Sequence, residues 1–90
     1  MNIPDLRERA ARGSCVAQTV LGMNYLWGID TEVDYEEAFR LLSEAAGQGA
    51  PRALSNLARM HADGRGIPQN LPEAVRLYGR AAGARAPRPN

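Results

Sequence analysis

Residues 34–49 read DYEEAFRLLSEAAGQG, and residues 70–85 read NLPEAVRLYGRAAGAR. The second stretch starts 36 residues after the first and repeats its Glu37, Ala38, Arg40, Leu41, Ala45, Ala46 and Gly47 in register. In the first stretch Tyr35, Ala38, Phe39, Leu41, Leu42, Ala45 and Ala46 fall at helical spacing. They make a wide apolar stripe of the kind buried between neighbouring helices. Asp34 with Glu37, and Asn70 with Glu73, stand at capping-box spacing. There the cap side chain accepts a free helix N–H and the glutamate reaches back to the cap's own N–H. The alanine pairs let helices approach closely, and Gly47, Gly49 and Gly83 stand where helices are expected to end.

The same offset extends outward without a gap. Residues 14–49 and 50–85 share ten identical positions, among them Ala17/Ala53, Leu21/Leu57 and Gly28/Gly64. Chance in an alanine-rich chain gives about three, so the repeat is real. Ahead of the first stripe, Ala17, Leu21 and Tyr25 recur at i, i+4, i+8, which predicts a second helix in each unit. NIPD at 2–5 echoes NLPE at 70–73, and Gly13 matches Gly49. Residues 3–13 therefore read as the second helix of a partial unit. The expectation is one all-α domain of about five helices in antiparallel pairs, an α/α superhelix of helical hairpins. Its parts are a partial repeat helix at 3–13, repeats at 14–49 and 50–85, and a basic tail at 86–90.

Between the helices of the second unit lies ADGRGIPQN, residues 62–70. A phosphate-binding P-loop follows a strand and ends in a Lys-Ser/Thr pair that opens a helix. Here a helix precedes, and all eleven cations of the chain are arginine. The matching loop of the first unit has Asp30 in place of Gly66. A left-handed backbone position accepts Asp or Asn as well as Gly, so the exchange needs no ligand. The loop reads as a connector.

Composition narrows the rest. Aliphatic, aromatic and cysteine residues make up 44% of the chain and charged residues 23%, ordinary values for a globular protein. A net charge of +1 gives no global pull toward nucleic acid or membrane. The single Cys15 excludes an internal disulfide and suits a reducing compartment. The first residues, MNIPDLRERAARGS, contain no apolar run, so no secretory signal is expected and the cytoplasm is the expected location.

The pattern A-x3-L-G/A-x2-Y/H-x2-G, a short loop, then D/N-x2-E-A-x6-AA resembles the Sel1-like repeat (SLR) family, relatives of the tetratricopeptide repeats. The resemblance covers residues 14–85 and, in part, 3–13, and GRGIPQNLPEA at 64–74 lies nearest to it. It implies a right-handed superhelix that binds proteins or peptides, commonly as an adaptor, chaperone or assembly factor. Asp30 in the loop and His61 in an aromatic slot depart from the pattern.

Comparing the units isolates what the fold does not require. Val16, Val20, Met23 and Trp27 form an apolar stripe on the first helix of unit one; their matches are Arg52, Asn56, Arg59 and Asp63. One explanation is burial beneath the N-terminal helix, through Ile3, Leu6 and Ala10. The other is an open patch anchored by Trp27, since tryptophan is enriched at binding hot spots and methionine suits adaptable surfaces. Val20, Met23 and Trp27, with Arg59, are the expected partner-binding residues. Charge divides as well: residues 28–49 carry six acidic residues against Arg40, a net of −5, and residues 50–90 a net of +5. Two solvated faces explain this simply; a dipolar surface that steers a charged partner is the alternative. The last helix is expected to expose Leu71, Val75 and Tyr78.

No chemistry is expected. Cys15 and His61 fall in different units without an orienting group, and ligands for a metal are too few. Neither a cofactor, nucleic acid nor a membrane is implied. The leading expectation is a non-catalytic protein-interaction module. An immunity- or inhibitor-type protein that occludes a toxin or enzyme is the alternative, and a self-assembling structural module, joined through its exposed terminal repeat, is a weaker third.

Overall fold

A computed structural model describes residues 2–85. Regular structure among these is entirely helical: α1 (Ile3–Ala11), α2 (Cys15–Trp27), α3 (Tyr35–Gly47), α4 (Pro51–Asp63) and α5 (Leu71–Arg85). The basic tail expected at 86–90 lies outside the described residues. The helices pack in order, α2 on α3 and α4 on α5 as hairpins, with α1 against α2 and α3 against α4 joining them. The result is a slab of 40 × 33 × 17 Å.

Local chemistry sets the boundaries. Asn2, Ser14, Asp34 and Asn70 each cap a helix, their side-chain oxygens accepting from the N–H three residues on at 2.9–3.2 Å. The second half of the expected capping box does not form. The cap N–H groups of Asp34 and Asn70 instead donate to the carbonyls of Tyr25 and His61, at 2.9 and 2.8 Å, across the hairpin loop. With the cap already satisfied, Glu37 turns to Arg40 and Glu73 to Arg76 along the helix. Gly83 departs from expectation too, because α5 continues through it to Arg85.

The two hairpin loops start alike. Gly28 and Gly64 end α2 and α4 in the left-handed region, at φ 69° and 68°. Two residues later Asp30 and Gly66 adopt it again, at φ 60° and 70°, as expected for a turn. The core runs through all five helices: Leu6, Leu21, Leu26, Leu41, Leu42, Leu54 and Met60 are fully buried, and Leu77 and Ala81 of α5 are buried with them. Alanines 38, 45, 53 and 58, all at 0% exposure, form the close contacts between helices.

Candidate partner-binding face

α2 and α4, the first helices of their hairpins, lie side by side. α1 engages α2 on a different side from the apolar stripe. Gln18 donates to the Ala10 carbonyl at the end of α1, and Arg7 donates to the Tyr25 hydroxyl at 2.9 Å. Val16 is therefore left 69% exposed, which sets aside its burial beneath the N-terminal helix. Val20 and Met23 are half-buried, packed against the edge of the core.

At the far end of the stripe Trp27 is 37% exposed. Its indole N–H donates to Asn56 Oδ1 of α4 at 3.4 Å. The guanidinium groups of Arg59 and Arg65 stand 5.8 and 5.0 Å from its ring centroid, within cation–π range. Both arginines donate to Asp63 at 3.1 Å. Those hydrogen bonds, Arg65's first, hold the Asp63 carboxyl below the ordinary carboxylate range. Asp63 thus joins the two arginines that stand over the Trp27 ring. At the near end Cys15, Val16, Thr19, Val20, Pro51 and Arg52 line a groove of about 220 Å³. Between groove and tryptophan, at helical spacing, Met23 follows on α2 and Asn56 and Arg59 on α4; we refer to this side of the two helices as the strip.

The structure brings Arg59 of α4 over Trp27, while Val20 lies at the groove end of the stripe and Met23 between them on α2. It adds Arg65, which sequence reasoning passed over as part of the connector. The two left-handed glycines on either side of Arg65 return the chain toward α2, and that geometry leaves no periodic signal.

The larger concavity, about 510 Å³ between α1 and α3, has a different character. Of its charged side chains, Arg40 bonds both Glu37 and Glu44, and Arg7 is bound to Tyr25. These groups are already satisfied by one another. Cys15 and His61 are not brought together: the Cys15 thiol faces the Ala45 carbonyl at 3.8 Å, while the His61 ring stands edge-on to Phe39 at 6.2 Å. His61 occupies the slot that Tyr25 fills in unit one, as an aromatic packing residue. No group of three or more metal-binding side chains occurs among the described residues. No helix there is long and apolar enough to cross a membrane.

Paired helices stacked at a 36-residue period, with an open face along their first members, define an α/α solenoid of helical hairpins. The Sel1 repeat family profile matches residues 15–49 and 51–84, and the chain belongs to that family. Two solved structures share the fold. A Sel1 repeat protein from Oxalobacter formigenes is 30% identical with a TM-score of 0.80, over 88% of this chain and 32% of that one. A protective antigen of uropathogenic Escherichia coli strains, with an SLR fold, is 33% identical with a TM-score of 0.83. That match covers 87% of this chain and 17% of the antigen. The chain thus spans a third or less of the proteins it resembles. Sel1 repeats generally mediate protein–protein interaction, and proteins built from them are typically non-catalytic.

Proposed function

We propose that this chain is a non-catalytic interaction module that binds a partner protein along the strip between α2 and α4. One observation carries the reading. The same helical positions are apolar in α2 and polar in α4, and the two ends of the apolar set, Val16 and Trp27, stay exposed instead of being absorbed by the core. Nothing in the packing requires Val16 or Trp27 to be apolar, so their chemistry is free to serve recognition. Trp27 is the anchor: a large rigid ring, held by Asn56 and flanked by Arg59 and Arg65, binds at little entropic cost. Adaptor, chaperone and assembly roles all use such a surface. The lone Cys15 suits work in the cytoplasm.

The immunity- or inhibitor-type reading draws support from the loop between α2 and α3. There Asp30, Glu32 and Asp34 are exposed beside Ile29 and Val33, themselves 48% and 49% exposed. An acidic, apolar-studded loop suits a basic site on another protein.

Capture from the source cells' lysate, with wild type beside Met23→Arg/Trp27→Asp, tests the strip. The substitutions copy what unit two carries at the matching positions, so helix content by circular dichroism is expected to stay unchanged. A protein held by wild type and released by the folded variant supports the reading. Equal retention by both removes it. Adding the chain to the captured partner then separates the roles, since an inhibitor abolishes the partner's activity and an adaptor leaves it intact.

A further inference from the structure

The two ends of the helix stack are built differently. α3 carries one apolar edge, Ala38, Leu41 and Ala45, toward the helix before it, and another, Tyr35 and Phe39, toward the unit after it. Tyr35 lies against Gly66, Phe39 meets His61, and Leu42 is wedged between the edges. The 36-residue offset places the same two edges on α5 and α1. On α5 the first edge, Ala74, Leu77 and Ala81, is buried. Its second edge is open, with Leu71 at 55% and Val75 at 70% exposure, and Tyr78, in the place of the wedged Leu42, is itself 41% exposed. On α1 the second edge, from Ile3 through Leu6 to Ala10, packs inward, while the first is Asn2, Asp5 and Arg9. Asp5 and Arg9 pair with each other at 3.5 Å, about half exposed. The α1 end is closed by charge and the α5 end is not.

We propose that two copies of this chain pair through α5, antiparallel about a two-fold axis, with Leu71, Val75 and Tyr78 of each covering those of the other. Head-to-tail stacking would bury Asp5 and Arg9 of the next copy beneath Leu71, Val75 and Tyr78, and desolvating that ion pair is unfavourable. A self-complementary, closed contact remains. Antiparallel pairing sets bulky Leu71, at the start of one stripe, beside small Ala82, at the end of the other. Glu73, Arg76 and Arg80 lie across the helix from the stripe by their spacing, and Arg85, which continues it, falls at opposite ends of an antiparallel pair in the two copies, so no like charges meet. Gly79 flanks the stripe, and a Cβ there would meet nothing within 4 Å, so a second helix can approach closely. One 15-residue helix per copy, about 22 Å long, makes a small interface and a concentration-dependent pair.

Sedimentation equilibrium of the full chain, from micromolar to millimolar, tests this. The average mass is expected to climb from 9.8 kDa and level off at twice that value. Val75→Glu/Tyr78→Glu is expected to raise the dimer dissociation constant at least about thirtyfold, with helix content unchanged because both side chains are exposed. Asp5→Leu/Arg9→Ala removes the polar closure, and its mass is expected to pass beyond the dimer. A mass fixed at 9.8 kDa throughout, a wild type that grows past the dimer, or pairing untouched by the glutamates would each overturn the proposal. A chain that stays monomeric yet holds a foreign protein through α5 would replace the second copy with another protein's helix.

Discussion

Gly66→Asp is expected to destabilise the fold by about 3 kcal/mol, while the reverse exchange at the matching position, Asp30→Gly, changes it by less than about 1 kcal/mol. Both residues sit in the left-handed region, at φ 70° and 60°, and conformation alone would make them interchangeable. The difference is what stands beside them. A Cβ on Gly66 would lie 2.3 Å from Tyr35 Cβ and 2.9 Å from its Cγ. Those atoms are the stem of a side chain in the first turn of α3, which cannot swing aside without its backbone. Asp30 already carries a Cβ in the left-handed region, so its site accommodates one, and removing it only frees the backbone. For a domain of this size 3 kcal/mol corresponds to a fall of roughly 12 °C or more in Tm. Thermal and urea denaturation of the two single variants decide the matter. Similar losses in both would mean that backbone strain, and not the stacking of one unit on the next, selects the glycine.

This contrast marks where the sequence is informative. Units of 36 residues, helical periodicity and cap residues specify five helices and their pairing, because each is a local rule repeated twice. The exchange of Asp30 for Gly66 was legible as a left-handed turn. The tighter reason, Tyr35 pressed onto the loop of the following unit, depends on an approach between residues 31 apart and leaves no local pattern. The same holds for Glu37 and Glu73. Their spacing from Asp34 and Asn70 predicts a capping box, but carbonyls nine residues upstream take the cap N–H groups first. Comparing units singles out Val20, Met23 and Trp27 on α2, of which Trp27 stands exposed while Val20 and Met23 are half-buried against the core. It could not show which flank of α2 α1 would cover, since Ile3, Leu6 and Ala10 fit either. The choice follows from Gln18 and Arg7, whose hydrogen bonds to Ala10 and Tyr25 draw α1 to the other side.

The wedge at Leu42 is expected to give the other large effect, and its size depends on Gly22. Leu42 is fully buried, and truncation to alanine is expected to cost about 3 kcal/mol for the lost transfer energy and the cavity left behind. Gly22 faces it from α2: an added Cβ would come within 2.8 Å of Leu42 Cγ and 2.9 Å of Cδ2. Gly22→Ala gains about 1 kcal/mol of helix propensity but overpacks a fully buried contact, at a cost of about 1–3 kcal/mol, so it destabilises alone. In a Leu42→Ala background the obstacle is gone. There Gly22→Ala keeps its propensity gain and fills part of the cavity, so it stabilises, and the double variant loses less than Leu42→Ala alone. A coupling of about 2 kcal/mol, measured by urea denaturation of all four proteins, is the expected result. Additive effects would show that α2 relaxes away from α3 and that the contact sets no spacing. The spacing matters for recognition as well as stability. Gly22 adjoins Met23 and lies five residues before Trp27, so the distance at which α2 rests on α3 also sets where the strip stands against Asn56, Arg59 and Arg65. Gly22→Ala is therefore expected to weaken partner binding more than its loss of stability accounts for, while Leu42→Ala/Gly22→Ala recovers part of it.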